Sequence, residues 1–412
     1  MKKIIEFEPE KSKVNTIKEC SENQKKDPIK KQNQKRLEII IPISIIIVVF
    51  IIIAIIYGAN KDFRSFMDKY VLGKNVTEEN LPTIDIDYNS NIHVIPYGNF
   101  ICILAENTLF EYNSSGKQEK TVKVEISNPI YDVEGKYLVI GEKNNQKLYL
   151  ISEDHIVWEK NVDGNLSKVT VNKNGYVSAI VTGTTHKSVI VVYDSKGNEL
   201  FKSYLSQTIA VDACISPDNQ ELAYAEVNTS GTVIQSSIKI ISVDSAKEID
   251  TEPKYTYTAP QNSLILKIKY QDRNKLICMY ENSIHKIENE TDTEILKIDE
   301  EGKKINFADI ELENYIFRAV EKSTGLFNAD TVIEIKNVQN QKEAIYTVEE
   351  VAKSIVCSGK IIGINLGTQV DFIDTNGWLV RRYISSQVIE NIVICDGVAG
   401  IIYGDKIELV SL

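Results

Sequence analysis

Residues that build reactive or metal-binding sites are scarce in this 412-residue chain. It has four histidines, three methionines and two tryptophans. The histidines are far apart in the sequence and show no H-x-x-H or H-E-x-x-H spacing. No phosphate-binding loop, dinucleotide fingerprint or nucleophile elbow stands out. These absences argue against a metalloenzyme, a nucleotide-binding protein or a serine hydrolase, so we expect a protein that is not an enzyme and has no cofactor.

Cysteine is present, but the pattern does not suggest disulfides. Five of the six cysteines follow residue 100, and an odd number of cysteines cannot all pair with each other. No C-x-x-C occurs. Each of the five lies within or beside an apolar run, such as residues 101–104 or 276–279. Because a buried free cysteine behaves as a small hydrophobic residue, we expect five buried thiols.

Positive charge is in deficit and unevenly placed. The chain has 47 Lys and Arg against 58 Asp and Glu, a net charge of −11. Residues 1–57 carry 11 basic and 7 acidic side chains, whereas residues 58–412 carry 36 and 51, or 36 − 51 = −15. A duplex-binding surface needs clustered Lys and Arg, so we expect no nucleic-acid partner.

One long hydrophobic run, residues 37–57, predicts a transmembrane helix. Its part from residue 39 to residue 57 carries no charge and would span roughly 28 Å as a helix, about the thickness of a hydrocarbon core. A buried helix of a soluble protein rarely needs so long a run that is apolar all round. A cleaved signal peptide has a shorter core and a small-residue cleavage site, which does not follow here. We therefore expect an uncleaved anchor in the lipid bilayer, with Ile39, Ile47, Phe50 and Tyr57 inside it.

Basic residues before this run predict the orientation of the chain. Lys30, Lys31, Lys35 and Arg36 crowd the N-terminal flank. Positive flanks remain in the cytosol, so we expect a single-pass protein of the cell membrane with a cytosolic N-terminus and an extracytoplasmic C-terminal domain.

The remaining sequence divides into three further segments. Residues 1–36 are polar without periodicity and predict a disordered basic tail. Residues 58–80 form a juxtamembrane linker, in which Phe63, Phe66, Met67 and Tyr70 recur at helical spacing. That spacing predicts an amphipathic helix, although a simple stalk fits as well. Residues 81–412 form the extracytoplasmic domain.

Residues 81–412 contain a repeat of strand-forming runs separated by Gly, Asn and Asp turns. The strand that opens each hairpin begins near Phe100, Lys136, Tyr176, Glu221, Lys275, Tyr315, Lys360 and Val398. The mean spacing, (398 − 100)/7 or about 43 residues, is typical of a four-stranded propeller blade. We therefore predict an all-β propeller of about eight blades, with seven blades or separate sandwiches as alternatives.

The two ends of the repeat region predict how the ring closes. The last copy, residues 398–412, stops after its third strand, and a spare strand occurs at residues 81–87. Pairing the two would complete the last blade and remove two exposed edges.

Two local matches resemble known propeller families. Residues 216–225, Ser-Pro-Asp-Asn-Gln-Glu-Leu-Ala-Tyr-Ala, resemble a strand turn of TolB-type and WD-repeat-like propellers, with Asn219 in place of the usual Gly. Residues 148–158 resemble an element of quinoprotein-like repeats. The whole plan resembles the uncharacterised membrane-anchored propeller proteins of clostridial-type bacteria, a family of unknown function. The resemblance implies an architecture and no activity.

Only weak ligand sites can be proposed from the residues. Asp85, Asp87 and Asn89 alternate like oxygen ligands in a calcium loop, but a strand with one polar face explains the alternation equally well. A quinone cofactor would suit an eight-bladed ring, but tryptophan is too rare for tryptophan-packed repeats. We expect Trp158 and Trp378 to pack between blades instead.

The function most consistent with these observations is a non-enzymatic interaction module in the bacterial cell envelope. A propeller presents loops from a rigid scaffold, and its partner would be an envelope protein or a cell-wall polymer. The longest hairpin insertions, residues 228–237 and 321–330, are candidate contact points. An envelope sensor or a glycan-binding or small-ligand-binding domain is the alternative, and a propeller-type enzyme is a third.

Overall fold

Most strands are apolar on both faces because both faces are buried. In the strand that contains residues 138–140, Leu138 and Ile140 pack against the preceding sheet, and Val139 packs against the following one. The computed structural model describes residues 28–77, 81–87, 91–243, 252–260, 263–325 and 328–412. Within this part of the chain, eight sheets each share one buried apolar cluster with each neighbour. The core is therefore a ring of interfaces between sheets.

The strands follow one another in chain order with short connections. The first half of them are β1 (Asn75–Thr77), β2 (Thr83–Asp85), β3 (His93–Tyr97), β4 (Phe100–Ala105), β5 (Thr108–Tyr112), β6 (Gln118–Lys123), β7 (Pro129–Glu134), β8 (Tyr137–Glu142), β9 (Lys147–Ser152), β10 (His155–Asn161), β11 (Asn165–Val171), β12 (Val177–Thr182), β13 (Ser188–Tyr193), β14 (Glu199–Leu205), β15 (Thr208–Ile215), β16 (Glu221–Asn228), β17 (Gln235–Ser242) and β18 (Tyr255–Thr258). The second half are β19 (Ile265–Asp272), β20 (Lys275–Tyr280), β21 (Ser283–Glu288), β22 (Thr291–Lys297), β23 (Lys304–Asp309), β24 (Tyr315–Ser323), β25 (Ala329–Asn337), β26 (Glu343–Val348), β27 (Ser354–Ser358), β28 (Ile361–Asn365), β29 (Gln369–Asp374), β30 (Leu379–Ile384), β31 (Asn391–Cys395), β32 (Val398–Ile402) and β33 (Lys406–Ser411).

The sheets are the blades of an eight-bladed propeller. Blades 1 to 6 are β3–β6, β7–β10, β11–β14, β15–β18, β19–β22 and β23–β26, each an antiparallel sheet of four consecutive strands. Blade 7 is built on β27–β30, and blade 8 on β31–β33. The predicted repeat is confirmed, because the second strand of every blade begins within one residue of the predicted position.

The ring closes as predicted. Strand β2 pairs antiparallel with β33, with Ile84 opposite Ile407, and becomes the fourth strand of blade 8. Ile84 is 3% exposed and packs in the cluster between blades 8 and 1. The N-terminal and C-terminal strands therefore hold one blade together.

A fifth strand in blade 7 was not expected from the sequence. Residues 58–80 were assigned to a linker, but β1 pairs in parallel with β30 and covers the outer edge of that blade. The main-chain carbonyl of Lys74 also accepts a hydrogen bond from the Arg382 amide at 2.9 Å. The compact unit that contains the propeller begins at Leu72. A strand of three residues is too short to show a periodic sequence pattern, so β1 is identified only by its pairing with β30.

Residues 28–71 belong to a separate, helical unit. Helix α1 (Pro28–Ala59) contains the segment Ile40–Ala59, which is long and apolar enough to cross a membrane. Ile47 and Phe50 are 54% and 67% exposed, and Tyr57 is half-buried against Asp68. Ile39, Lys30, Lys31, Lys35 and Arg36 all lie on the α1 backbone.

The start of α1 differs from the predicted disordered tail. Residues 28–36 form the first turns of the helix, and residues 1–27 lie outside the described part of the chain. Proline is favoured at the first position of a helix, which fits Pro28. Lys, Gln and Arg are good helix formers, so extending the helix through them costs little free energy. A short helix α2 (Lys61–Phe66) and a π-helical turn (Met67–Val71) follow where an amphipathic helix was predicted.

We predict that ring closure depends on Ile84. An Ile84→Asp substitution would place a carboxylate in the apolar cluster between blades 8 and 1, and should lower the free energy of unfolding by roughly 3 kcal/mol or more. Thermal unfolding followed by circular dichroism measures this. Thr83→Asp, at an exposed position of the same strand, is the control and should change little. Equal melting temperatures for the wild type and Ile84→Asp would contradict closure by β2.

Candidate functional site

The first strands of the blades converge on the propeller axis. Neighbouring first strands contact each other around much of the ring. In blades 3 to 6 this strand contains a β-bulge, at Ser167, Val211, Leu266 and Asn306. A bulge changes the direction of the side chains that follow it. Lys168, Asp212 and Lys267 come directly after these bulges.

Charged side chains from these strands hold neighbouring blades together. Lys168 Nζ lies 2.7 Å from Asp212 Oδ1, and Asp212 Oδ2 accepts a hydrogen bond from the Ile268 amide of the next blade at 2.9 Å. Asp132 in blade 2 repeats this arrangement and accepts from the Val171 amide of blade 3 at 2.8 Å. An inner-strand carboxylate thus satisfies a main-chain donor of the following blade.

A second group of charges crosses the axis. Lys267 Nζ lies 2.7 Å from Glu311 and 3.2 Å from Asp309. Lys269 Nζ lies 2.5 Å from Glu311 and 3.5 Å from Glu134, which belongs to blade 2, three blades away. These five residues, with Lys168, Asp132 and Asp212, are the channel network, which comprises three ammonium groups and five carboxylates.

Two carboxylates of the channel network, Glu311 and Asp132, have opposite pKa shifts. Burial by itself would raise the pKa of Glu311, but the positive charges of Lys269 and Lys267 outweigh it and hold the pKa at about 2. Burial, followed by the negative charge of Glu311, raises the pKa of Asp132 to about 6, against the Val171 hydrogen bond and the charge of Lys269. Glu311 is therefore ionised at neutral pH, and ionised Asp132 is held at a cost in stability.

The other side of the axis is uncharged. The first strands of blades 7, 8 and 1 (β27, β31 and β3) contain no Lys, Arg, Asp or Glu. Within the described residues, no three His, Cys, Asp or Glu side chains form a group that could hold a metal ion. Apart from Asp132, which accepts from the Val171 amide, the charges of the channel network pair with each other, an arrangement suited to bracing the blades.

The residues singled out from the sequence do not come together. Asp85 is exposed on β2 opposite Lys406, and Asp87 follows that strand, whereas Asn89 lies outside the described residues. The four histidines lie in blades 1, 2, 3 and 5. Trp158 packs on Tyr193 between blades 2 and 3, with ring centroids 5.6 Å apart, as expected. Trp378 instead keeps 48% of its surface exposed.

The five propeller cysteines are free thiols in strands. Cys102, Cys278 and Cys395 are buried, and Cys214 and Cys357 are half-buried. Burial raises the pKa of all five thiols, and that of Cys395 to about 12. The expected burial is therefore found for three of the five thiols and only in part for Cys214 and Cys357, and Cys20 lies outside the described residues.

The two ends of the propeller differ in exposed apolar surface. One end carries the connections between second and third strands and between successive blades. It holds eight of the eleven exposed large apolar side chains found in described residues of the strands and connections: Tyr204, Ile209, Val233, Ile234, Leu266, Val351, Ile384 and Val388. Val233 and Ile234 lie in the predicted insertion 228–237. Tyr131, Ile345 and Trp378 are the other three.

The same end is acidic. Its described connections carry twelve Asp and Glu against four Lys, or 4 − 12 = −8. The described residues of the turns at the opposite end include eight Lys and Arg against nine Asp and Glu, or 8 − 9 = −1. We call these the acidic end and the balanced end. Because β1 is parallel to the fourth strand of blade 7, the chain enters the propeller from the balanced end, which leaves the acidic end on the opposite side.

Comparisons with known proteins agree with this architecture. The chain belongs to the "Family of unknown function (DUF5711)", whose model matches residues 74–412. This match confirms the resemblance to a propeller family without an assigned activity. No curated protein matches the chain.

Solved structures similar to this chain have low sequence identity to it. Sqt1 from Chaetomium thermophilum is 9% identical with a TM-score of 0.52, over 81% of this chain and 98% of that one. BamB from Moraxella catarrhalis is 11% identical with a TM-score of 0.49, over 81% and 99% of the two chains. At these identities the similarity to Sqt1 shows the fold alone.

We predict opposite effects at neutral pH for two isosteric substitutions in the channel network. The pKa of Asp132 is raised, so its protonated form stabilises the fold below pH 3.8, and this stability is lost as the pH rises through about 6. The pKa of Glu311 is lowered, so its contribution is present above pH 4.5 and is lost as the pH falls towards 2.

At pH 7, Asp132→Asn should therefore raise the melting temperature, and Glu311→Gln should lower it. At pH 4 the Asp132→Asn difference should largely disappear. Thermal unfolding of both variants between pH 4 and pH 8 measures this, and a shift of the same sign for both at pH 7 would contradict the network.

Proposed function

We propose that this protein is a membrane-anchored, non-enzymatic interaction module of the cell envelope, which binds a protein partner at the acidic end of its propeller. The observation that carries the proposal is the concentration of exposed apolar side chains at that end. Solvent-exposed apolar patches on a rigid scaffold are typical of protein-binding surfaces. The balanced end has fewer such side chains among the described residues, namely Trp378 and Leu72, which lies just before β1.

The negative charge of the acidic end defines the partner further. A surface with eight excess carboxylates repels anionic lipids, nucleic acids and anionic wall polymers. It attracts a protein with Lys and Arg around an apolar centre. We therefore propose that the partner is a basic envelope protein and not a cell-wall polymer.

The non-enzymatic part of the proposal is supported by the channel network. General acid–base catalysis needs a titrating group within reach of a substrate. In the channel, Lys269 joins blades 2 and 5, Lys267 pairs with Asp309 and Glu311, and Lys168 pairs with Asp212. These groups thus serve structural contacts between blades.

Membrane anchoring is supported by helix α1. Residues 40–59 are apolar on every side, and none of this segment is buried within the protein. Exposed isoleucines in such numbers are unfavourable in water and favourable in lipid. We propose the orientation given by Lys30, Lys31, Lys35 and Arg36, with the propeller outside the cytosol.

A double substitution tests the anchor. Ile47→Lys with Phe50→Lys places two charges near the centre of the span, at about 2.5–3.5 kcal/mol each. The variant should move from the membrane pellet to the soluble fraction, whereas Ile47→Leu with Phe50→Leu should remain in the pellet. An N-terminal epitope tag distinguishes an anchor from a signal sequence, because cleavage would remove the tag from the mature protein.

A second pair of variants tests the docking surface. Val351→Ser with Val388→Ser removes two apolar side chains from the acidic end, and Ile345→Ser with Trp378→Ser removes two that lie elsewhere. Cross-linking in intact cells, followed by mass spectrometry, should recover a basic protein with the wild type and the second pair. Recovery should fall at least about tenfold for the first pair, since burying such side chains contributes about 1–3 kcal/mol each. Equal recovery with both pairs would place the interaction elsewhere.

A further inference from the structure

A groove between blades 4 and 5 opens at the balanced end. Its volume is about 210 Å³. Three tyrosines line it: Tyr255 and Tyr257 from the outer strand of blade 4, and Tyr270 from the first strand of blade 5. Ile240, Leu276 and Ile287 form its apolar lining, and all three are buried. The groove therefore combines aromatic rings with an apolar base.

The rim of the groove is polar and internally balanced. Lys254 Nζ lies 2.7 Å from Glu221 Oε1 and 5.2 Å from the centroid of the Tyr255 ring. The Tyr255 hydroxyl donates to Glu290 Oε1 at 2.5 Å. Glu221 Oε2 also accepts from the Tyr270 hydroxyl at 3.4 Å, so Glu221 has two partners within the protein and Glu290 has one. Each carboxylate still has acceptor capacity, because an ionised carboxylate offers about four lone-pair sites.

The chemistry of the groove selects the class of ligand. A cationic ligand would compete with Lys254, which already occupies the position over an aromatic ring and beside a carboxylate. A purely apolar ligand would cover the Glu221 and Glu290 carboxylates without offering them donors. A neutral ring with an apolar face and several hydroxyl donors does not compete with Lys254 for its position, and it offers donors to both carboxylates. The volume is below the roughly 300 Å³ of a drug-sized pocket, which limits the ligand to about one ring.

We propose that this groove binds one ring of a neutral saccharide. The C–H face of the sugar packs on Tyr257, whose ring centroid lies 6.5 Å from that of Tyr255 at an interplanar angle of 42°. Sugar hydroxyls donate to Glu221 and Glu290, and the exposed amide of Asn274 offers a donor and an acceptor. This site is independent of the protein-docking function, since the two lie at opposite ends of the propeller.

The test is a titration of the full-length protein in detergent micelles with neutral trisaccharides. The probes are the trisaccharide of N-acetylglucosamine and maltotriose, with binding measured by calorimetry and by saturation-transfer NMR. We expect at least one of them to bind. Tyr257→Ala should weaken that binding at least about tenfold, because it removes one aromatic face. Tyr257→Phe, which keeps the ring, should stay within about threefold of the wild type.

Two controls make the result decisive. Tyr204→Ala removes an exposed tyrosine from the acidic end and should leave saccharide affinity unchanged. Glu290→Gln keeps a hydrogen-bond acceptor but loses the charge. The affinity for a neutral sugar should therefore fall less than about threefold, whereas the affinity for a cation would fall far more. Spermidine is titrated in parallel. No saccharide binding to the wild type, tighter binding of spermidine, or unchanged binding by Tyr257→Ala would each overturn the proposal.

Discussion

The pairing of β2 with β33 is the contact on which the rest of the structure depends. Every blade buries one face against each neighbour, so an open ring would expose two apolar faces at once. Placing Ile84 opposite Ile407 seals the cluster between blades 8 and 1 and connects the two ends of the propeller sequence. Strand β1 adds a second N-terminal contact on blade 7, so residues 75–77 and 83–85 contribute to the last two blades.

In the closed ring, charged side chains are arranged differently in three regions. Near the axis, ammonium and carboxylate groups pair across blades, and Lys269 reaches from blade 5 to blade 2. At the acidic end, an excess of carboxylates and exposed valine and isoleucine side chains occur at the same end of the ring. At the balanced end, Lys254 and Glu221 neutralise each other beside three tyrosines. These three regions suit bracing, protein recognition and recognition of a neutral ring, respectively.

Much of the fold could be predicted because its signals are local and repeated. The second strand of each blade combines apolar residues with a preceding turn, and eight copies of this pattern identify the blades and their spacing. The candidate sites could not be predicted in the same way. Tyr270 and Tyr255 are distant from Glu221 and Glu290 in the sequence, and only the contact between blades 4 and 5 brings them together. Lys269 and Glu134 are separated by three blades, and no local pattern links them.

An apolar helix, an all-β repeat of about 43 residues, free cysteines and a strongly acidic C-terminal region could all be predicted from the sequence, because each depends on composition or short-range periodicity. Tertiary structure decided which charges pair across the axis, which end of the propeller is acidic and apolar, and that residues 75–77 join blade 7. These features depend on the direction of each strand and on the curvature of the ring. Antiparallel strands place alternate turns at opposite ends, so residues adjacent in sequence can be separated and residues far apart can meet.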